Sequence, residues 1–255
     1  MAEIVLEARS LRKSFGAHTV LDDIDLAVEA GSVVGLLGPN GSGKSTLLNV
    51  LTGFLAADGG QVRFRGRPIG ALAPSSIARL GLARTFQLPR MPSRMSVREV
   101  LLSADRSRSG LFDALVGRRA GAARTDELLQ ELRLDHVADQ PASAISGGQK
   151  KLLSIAAALA GRPAVLCLDE PTAGVHPSLR EHIVAMLKDA NREGVTLVVV
   201  EHDMGFVRSL CPRCIVLDRG KLIADCAPRE LAGHPRVVEA YLGRKAARPM
   251  AEVTA

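Results

Sequence analysis

Residues 38–46 have the sequence Gly38-Pro39-Asn40-Gly41-Ser42-Gly43-Lys44-Ser45-Thr46. An apolar run, residues 33–37, comes before them, and a largely apolar segment from Ser45 to Leu51, closed by Gly53, follows. The run predicts a buried strand, and the segment predicts a helix. A glycine-rich turn that joins a strand to a helix and ends in Gly-Lys-Ser is the pattern of a phosphate-binding loop. The sequence therefore predicts a nucleoside triphosphate site at residues 38–46.

The chemistry of such a loop explains its residue types. Glycines let backbone N–H groups wrap around phosphate oxygens, and the N-terminus of the following helix adds partial positive charge. We expect Lys44 to reach the β- and γ-phosphates and the Ser45 hydroxyl to bind Mg²⁺. The alternative is a purely structural turn, which the complete motif between a strand and a helix disfavours.

Two more apolar runs, and a third run that can also be a strand, are followed by side chains that can take part in chemistry. Residues 164–168 precede Asp169-Glu170, residues 195–200 precede His202, and residues 82–86 precede Gln87. In an open α/β sheet, ligands bind beyond the carboxyl ends of the strands, so we expect these side chains to converge on Gly38. Asp169 suits Mg²⁺ bound through water, and Glu170 suits a base for an attacking water. Taken singly, each has a plain alternative as a charged strand end or a loop cap.

Ser146-Gly147-Gly148-Gln149 opens a predicted helix that runs to Ala160. A serine before a helix that starts with two glycines favours an anion at the helix N-terminus. An ordinary helix cap is the alternative for this tetrapeptide. The loop at 38–46 already provides a phosphate site for one nucleotide. A second anion-binding helix N-terminus is therefore explained if it binds the nucleotide of another copy of the chain.

Composition limits the classes of protein that fit. The chain has 255 residues and a net charge of +6, and aromatic residues make up 3% with no Trp. So few rings argue against nucleic-acid binding by base stacking, and the positive charge favours a membrane surface or an anionic ligand. The N-terminus lacks the pattern of a signal peptide, and the longest apolar stretch, residues 152–168, is interrupted by Arg162-Pro163. Four scattered cysteines favour a reducing cytosol.

With these motifs the chain resembles the ATP-binding cassette (ABC) ATPases from about residue 4 to residue 243. The matching motifs occur in the family's order: Phe15, residues 38–46, Gln87, Ile145-Ser146-Gly147-Gly148-Gln149, residues 165–170 and His202. The resemblance implies an α/β P-loop NTPase fold with a mainly parallel sheet, antiparallel edge strands and an inserted helical subdomain. It implies a single domain at 4–243 with a core at about 4–87 and 163–243, a helical subdomain at about 88–162, and a frayed basic tail at 244–255.

The resemblance also implies two cassettes that close head to tail on two ATP molecules with Mg²⁺. Together the motifs and the family pattern give three groups of site residues. The catalytic group is Lys44, Gln87, Glu170 and His202, and the metal group is Ser45, Gln87 and Asp169. The nucleotide-binding group is Phe15 at the adenine, Gly38, Pro39, Asn40, Gly41, Ser42, Gly43, Lys44, Ser45 and Thr46 at the phosphates, and Ser146, Gly147, Gly148 and Gln149 for the opposite chain's ATP.

Further stretches are similar to the longer cassette of branched-chain amino acid importers: residues 81–87, 95–100, 110–112, 201–207 and 238–243. The similarity implies an ATPase subunit at the cytoplasmic face of the plasma membrane, with a second cassette (like or unlike), two permeases and an external solute-binding protein. Another solute, such as urea, an amide or an aromatic acid, and a lipopolysaccharide-type exporter remain alternatives, whereas a nucleic-acid cassette does not fit the length. We expect residues 88–118, with Arg90, Met91, Arg94, Met95, Leu111 and Phe112, to dock on the membrane partner.

Some positions depart from the family pattern. His176 stands where this subgroup usually has Asn and the wider family has Asp, in the loop that communicates between the two sites. The resemblance therefore does not imply symmetric hydrolysis at both sites. Ala17-His18 replaces a second Gly after Gly16, and Ala156-Ala157-Ala158 lacks a common Arg. Cys211 and Cys214 form a CxxC pair, but two cysteines are too few for structural zinc, which needs four ligands, and they follow a helix instead of opening one.

Overall fold

The computed structural model describes residues 3–104 and 125–242. Its ten strands are β1 Ile4–Phe15, β2 His18–Glu29, β3 Val33–Leu37, β4 Gly59–Phe64, β5 Arg67–Pro68, β6 Leu82–Arg84, β7 Val165–Asp169, β8 Thr196–Val200, β9 Arg213–Asp218 and β10 Lys221–Cys226. Its helices are α1 Lys44–Leu51, α2 Pro74–Leu80, α3 Val97–Ala104, α4 at 125–131, α5 Gly147–Ala160, α6 Pro177–Arg192, α7 Met204–Leu210 and α8 Pro235–Leu242. Leu111, Phe112 and the tail at 244–255 lie outside the described residues.

A six-stranded sheet carries the strand ends that the sequence singles out. Its order is β10-β9-β3-β8-β7-β6, with every neighbouring pair parallel except β10 and β9. Gly35 in β3 pairs with Val199 of β8 and Cys214 of β9, and Asp169 at the end of β7 pairs with Val200. The carboxyl ends of β3, β7 and β8 therefore lie at one edge of the sheet.

Both faces of this sheet are covered, as its continuous apolar strands predict. In β3, Val33 and Leu37 join one apolar cluster with residues of α3, α5, α6 and α7. Val34 and Leu36 point the other way, into a second cluster with residues of α1 and the antiparallel strands. Because successive side chains of a strand alternate between faces, one short strand anchors both layers.

The remaining antiparallel strands form a sheet of their own, in the order β2-β1-β4-β5. The sequence predicts β1 over Ile4–Ala8, but the observed strand is much longer because it pairs with β2 along its length and with β4. The α/β fold class is confirmed. The segments at 4–8 and 61–65, whose sequences are typical of edge or antiparallel strands, are antiparallel strands of this sheet. The antiparallel edge of the parallel sheet is β10.

Strand β6 is shorter than the apolar run at 82–86 that predicts it. The strand ends at Arg84, and the Phe86 side chain turns outward, 45% exposed. Its ring meets that of Phe54 edge-on, with centroids 5.2 Å apart. Helices α3, α4 and α5 follow between β6 and β7 in the chain. Among the described residues, none of the helices is both long and apolar enough to cross a membrane.

Candidate nucleotide-binding and hydrolysis site

Close backbone approaches fix the shape of the loop at 38–46. A Cβ on Gly38, whose φ is +147°, would lie 2.1 Å from the Leu217 carbonyl oxygen. A Cβ on Gly43, at φ +108°, would lie 2.8 Å from the Val20 carbonyl oxygen. Only glycine fits at either position. Since Gly43 is also the N-cap of α1 and has no side chain to cap the helix, the amides of the first turn are left for an anion.

The Lys44 ammonium lies inside the loop. It donates to the carbonyl oxygens of Gly38 and Pro39, at 2.8 and 2.9 Å. Burial lowers the pKa of Lys44, while the carboxylates of Glu170 and Asp169 oppose that shift. The two carboxylates at the end of β7 are therefore close enough to Lys44 in the loop to interact with its charge. Ser45, the next residue, is exposed at the start of α1.

Glu170 is the meeting point of the predicted strand ends. Its Oε2 accepts a hydrogen bond of 2.7 Å from the Gln87 amide, and its Oε1 lies 3.9 Å from His202 Nδ1. The backbone of Glu170 is in the left-handed region, at φ +46°. That conformation is strained for a residue with a side chain, and such strain persists where the surroundings hold it. Gln87, Glu170 and His202 thus form one polar group next to Lys44.

Asp169 is bound to a buried arginine that the sequence reasoning did not single out. Arg84 Nη2 lies 3.0 Å from Asp169 Oδ2, and the two side chains are only 6% and 11% exposed. The guanidinium also donates to Asn49 Oδ1 at 2.6 Å, and its central carbon lies 5.5 and 5.1 Å from the ring centres of Phe54 and Phe86. Arg84 therefore holds one oxygen of Asp169 in a fixed direction. A charged residue at the end of a strand next to β7 is the signal that could have found it.

Two more charged residues behind the site were also missed. Glu201 directly follows β8 and is 1% exposed, and Lys151 in α5 is 7% exposed. Glu201 could have been found by the signal that found Asp169, because both carboxylates lie at the carboxyl end of an apolar strand. Lys151 interrupts the buried face of an apolar helix, and a lysine there requires a polar partner.

The structure does not bring residues 146–149 to the loop of their own chain. Ser146 caps α5 by accepting from the Gln149 amide, and the Gln149 side chain accepts from the Ser146 amide in return. This reciprocal pair is a capping box. Ser146, Gly147 and Gln149 are at least partly exposed, as a surface for another chain requires.

Phe15 lies at the end of β1 and is 52% exposed. The Lys13 ammonium is 5.6 Å from the centre of its ring. The hairpin continues into β2, whose residues Val20 and Leu21 contact Gly43 at the loop. Phe15 is therefore placed on the hairpin that flanks the loop, with a free ring face.

The CxxC pair is buried against the central strand. The sulfur atoms of Cys211 and Cys214 would each lie 3.4 Å from a Cβ on Gly35. Burial raises the pKa of both thiols to about 12. The thiolate is the reactive form of cysteine, so these residues act as packing groups at neutral pH. His176, at the departure from the family pattern, caps α6 by accepting from the Ser178 amide at 3.3 Å.

Comparisons with known proteins identify the family of the chain. The family described as ABC transporter matches residues 21–173. The probable branched-chain amino acid transport ATP-binding protein LivG of Archaeoglobus fulgidus is 36% identical, over 94% of this chain and 95% of that protein. The high-affinity branched-chain amino acid transport ATP-binding protein BraF of Pseudomonas aeruginosa is 35% identical, over 95% of this chain and 99% of that protein.

Solved structures show the same fold. The ADP conformation of an ATP-binding cassette of an ABC transporter matches with a TM-score of 0.79 and 33% identity, over 94% of this chain and 99% of that one. A dimeric cassette in a post-hydrolysis state, bound to ADP and phosphate, matches with a TM-score of 0.77 and 26% identity, over 88% and 99%.

The fold and the loop at 38–46 define an ATPase of the P-loop class. The chain belongs to the ABC transporter family, as one of its ATP-binding cassettes.

Proposed function

We propose that this chain is the ATP-hydrolysing subunit of an importer for branched-chain amino acids or a chemically related solute. The observation that carries this proposal is the identity of 33–36% to branched-chain amino acid transport ATP-binding proteins over almost the whole chain. Another solute, such as urea, an amide or an aromatic acid, and export of a lipopolysaccharide are the competing functions. We place the subunit on the cytoplasmic face of the plasma membrane.

The residues of the loop fit a nucleoside triphosphate. Gly38 and Gly43 leave room that a Cβ would fill, and the first turn of α1 presents amides. We propose that residues 38–46 wrap the phosphates and that Lys44 exchanges its bonds to the Gly38 and Pro39 carbonyls for bonds to the β- and γ-phosphates. Phosphate oxygens carry more negative charge than peptide carbonyls, so the exchange is favourable. Phe15 is proposed to stack on the adenine with its exposed ring face.

Ser45, Gln87 and Asp169 are the proposed Mg²⁺ group. All three offer oxygen atoms, which Mg²⁺ prefers, and it usually needs only one or two carboxylates beside phosphate oxygens. Among the described residues, no three or more His, Cys, Asp or Glu side chains are grouped to hold a metal. Arg84 fixes Oδ2 of Asp169, and Oδ1 is the oxygen we assign to the metal's water. When bound, the ion neutralises phosphate charge.

We propose Glu170 as the base that accepts a proton from the attacking water. Its side chain is 26% exposed, so water can reach it. The Gln87 amide donates a 2.7 Å hydrogen bond to its Oε2, and His202 Nδ1 lies near its Oε1, at 3.9 Å. A carboxylate held in this way keeps one geometry and needs little reorganisation during reaction. His202 would orient the γ-phosphate side of the site, and Gln87 would report the presence of that phosphate to the residues that follow it.

The working unit is proposed to be a pair of cassettes with two permeases and an external solute-binding protein. The exposed N-terminus of α5, capped by Ser146, is the surface that would complete the nucleotide site of the opposite chain. The dimeric neighbour with ADP and phosphate supports such a pairing. We propose one domain at 4–243, with a core at about 4–87 and 163–243 and a helical subdomain at about 88–162.

An exposed apolar patch beside Gln87 is the proposed permease-docking surface. Phe54, Phe86 and Leu88 are 50%, 45% and 84% exposed, and Arg90 and Arg94 are exposed nearby. Within the expected docking stretch, Met91 and Met95 differ from the prediction, because they are half-buried against the core cluster of α3 and α5. The docking surface is therefore shifted toward the end of β6, where a short amphipathic helix could cover the rings.

Reconstitution tests the proposed function. The cassette is placed in proteoliposomes with a candidate partner cassette and candidate permeases. ATP hydrolysis is then measured with a solute-binding protein that carries leucine, urea or an aromatic acid. We expect leucine or a close analogue to stimulate hydrolysis and to enter the vesicles. The matched control, Lys44→Ala, should bind ATP poorly and show no hydrolysis. Stimulation by an unrelated solute would show that the proposed substrate is wrong. Normal hydrolysis by Lys44→Ala would show that the loop at 38–46 is not part of the hydrolysis site.

A further inference from the structure

One buried carboxylate joins the two loops that carry the hydrolytic residues. Glu201 accepts from the Thr172 amide at 2.9 Å and from the Thr172 hydroxyl at 2.5 Å. It also accepts from the amides of His202 at 3.0 Å and Asp203 at 3.3 Å. All four partners are donors, which suits the ionised, acceptor-only form of the side chain.

The residues that donate to Glu201 belong to two different loops. Thr172 lies two residues after Glu170, in the loop that follows β7. His202 lies in the loop that follows β8, and its side chain faces Glu170 at 3.9 Å. Glu201 therefore fixes the distance between the two loops whose side chains meet at the proposed base.

A buried lysine holds the backbone of Glu170 from another direction. Lys151 Nζ donates to the Glu170 carbonyl oxygen at 2.5 Å, while the Glu170 amide donates to the Val200 carbonyl at 2.9 Å. The left-handed peptide of Glu170 is thus anchored at both its N–H and its C=O. Burial lowers the pKa of Lys151, and the charge of Glu201 opposes this shift most strongly, followed by those of Glu170 and Asp169.

We propose that Glu201 and Lys151 are positioning residues for ATP hydrolysis: Glu201 holds the loops of Glu170 and His202 in register, and Lys151 fixes the strained Glu170 peptide to α5. The inference rests on the proposed role of Glu170 as the base. Because Ser146 is the N-cap of α5, Lys151 also links the surface offered to the opposite chain with the base of its own chain. Loss of either residue is expected to slow the chemical step and leave nucleotide affinity, which the loop at 38–46 sets, nearly unchanged.

Glu201→Gln is the first test. The substitution keeps the shape but turns one acceptor oxygen into an NH₂ group that faces at least one backbone N–H donor in either orientation. We expect kcat to fall about 10- to 100-fold, as misplacement of reacting groups typically does, with Kd for a fluorescent ATP analogue within about twofold. The kcat is expressed per nucleotide-binding site, so that a misfolded fraction does not count. Glu181→Gln, an exposed change on α6, is the matched control and should match the wild type.

A milder pair of variants keeps the test decisive if Glu201→Gln does not fold. Thr172→Val has nearly the same shape as threonine but lacks the hydroxyl that Glu201 accepts, whereas Thr172→Ser keeps the hydroxyl and loses only a methyl group. We expect Thr172→Val to lose at least about fivefold in kcat per site and Thr172→Ser to stay close to the wild type. Equal rates for the two variants would show that the hydrogen bond has no positioning role.

Lys151→Met tests the second residue, with Lys188→Met on the exposed face of α6 as its control. We expect only Lys151→Met to lower kcat per site, by about tenfold, again without loss of affinity. Glu170→Gln is measured in the same assay. If Glu170→Gln hydrolyses ATP normally, the base is misassigned and the proposed function changes. If it is inactive while Glu201→Gln, Thr172→Val and Lys151→Met turn over at the wild-type rate per site, the positioning inference alone is overturned.

Discussion

The amide of Gln87 donates a 2.7 Å hydrogen bond to Glu170 Oε2, across 83 residues of sequence. Gln87 follows the edge strand β6, and Glu170 follows β7, its parallel neighbour, so the two meet where both strands end. Gln87 is flanked in the chain by Phe86 and Leu88, both of which are exposed. A partner that moves Gln87 therefore changes the surroundings of the proposed base directly.

Glu170→Gln is expected to reduce the rate of ATP hydrolysis by about 10²- to 10⁴-fold, the usual effect of removing a general base. Glutamine keeps the shape and most hydrogen bonds, so ATP binding through Lys44 and the loop should survive. Steady-state phosphate release and equilibrium nucleotide binding measure the two effects. A wild-type rate in this variant would assign the base to another residue.

The same variant should accumulate a dimer when ATP and Mg²⁺ are present. Phosphates held between one chain's loop and the other chain's Ser146 would join the two chains, and slow hydrolysis would keep them joined. Size-exclusion chromatography should give a dimer in ATP and a monomer in ADP. The run is repeated with the partner cassette, because His176 replaces the usual residue between the sites and the natural pair can be unlike. A monomer under all these conditions contradicts the proposed head-to-tail pairing.

Gly38→Ala should abolish ATP binding and destabilise the fold. The new Cβ would lie 2.1 Å from the Leu217 carbonyl oxygen at a φ of +147°. Strain and overpacking together predict a loss of about 3 kcal/mol or more in the free energy of unfolding. Gly66→Ala is the control, since φ is +72° there but a new Cβ meets nothing within 4 Å among its surroundings. It should lose only about 1–2 kcal/mol. Similar losses in urea titrations of both variants would remove the steric argument.

The sequence predicts the parallel sheet and its polar edge well, because both depend on simple rules. Apolar runs of about five residues form strands that are buried on both faces, and side chains directly after them lie at one edge. The rule brings Gln87, Asp169, Glu170 and His202 to the right edge without any knowledge of contacts.

The same rules do not find Arg84 or Lys151. Arg84 is defined by its contacts with Asp169 and two rings, and Lys151 by a bond to a backbone carbonyl in another element, so both depend on tertiary packing. Local patterns likewise do not show that β1 pairs on both sides.

Arg84→Met should destabilise the protein strongly, since it leaves the nearly buried Asp169 carboxylate without its cation. Removing one partner of a buried pair typically costs about 3–5 kcal/mol, and the slight exposure of this pair favours the lower end. Arg192→Met is the control, because Arg192 and its partner Asp189 are 74% and 59% exposed. An exposed pair contributes at most about 1 kcal/mol. Urea denaturation measures the free energy of unfolding of the two variants. Equal decreases would mean that the bond from Arg84 to Asp169 does not stabilise the fold more than an exposed ion pair does.

Cysteine placed at Leu88 should cross-link to the permease in the assembled transporter. Leu88 is 84% exposed beside the rings of Phe54 and Phe86, at the proposed docking surface. The background variant lacks the partly buried Cys226, and cysteine at Lys188, exposed on α6, is the control. A short bifunctional reagent should join position 88 but not position 188 to a permease loop. Strong cross-links at 188 with none at 88 would move the docking surface elsewhere.

The buried thiols should make the protein less stable in alkali. Burial raises the pKa of Cys211 to about 12 from its ordinary 9.0, so the folded state keeps a proton that the unfolded state releases. The contribution of this thiol to the free energy of unfolding is therefore fully present below pH 9 and is lost as the pH rises toward 12. Between pH 8 and pH 10.5, wild type should lose about 2 kcal/mol more in the free energy of unfolding than Cys211→Ala does. Comparing the variant with wild type cancels the titration of lysines such as Lys44, whose lowered pKa acts in the opposite direction. Equal losses in urea titrations at the two pH values would mean that Cys211 ionises normally, and would return the CxxC pair to consideration as a reactive site.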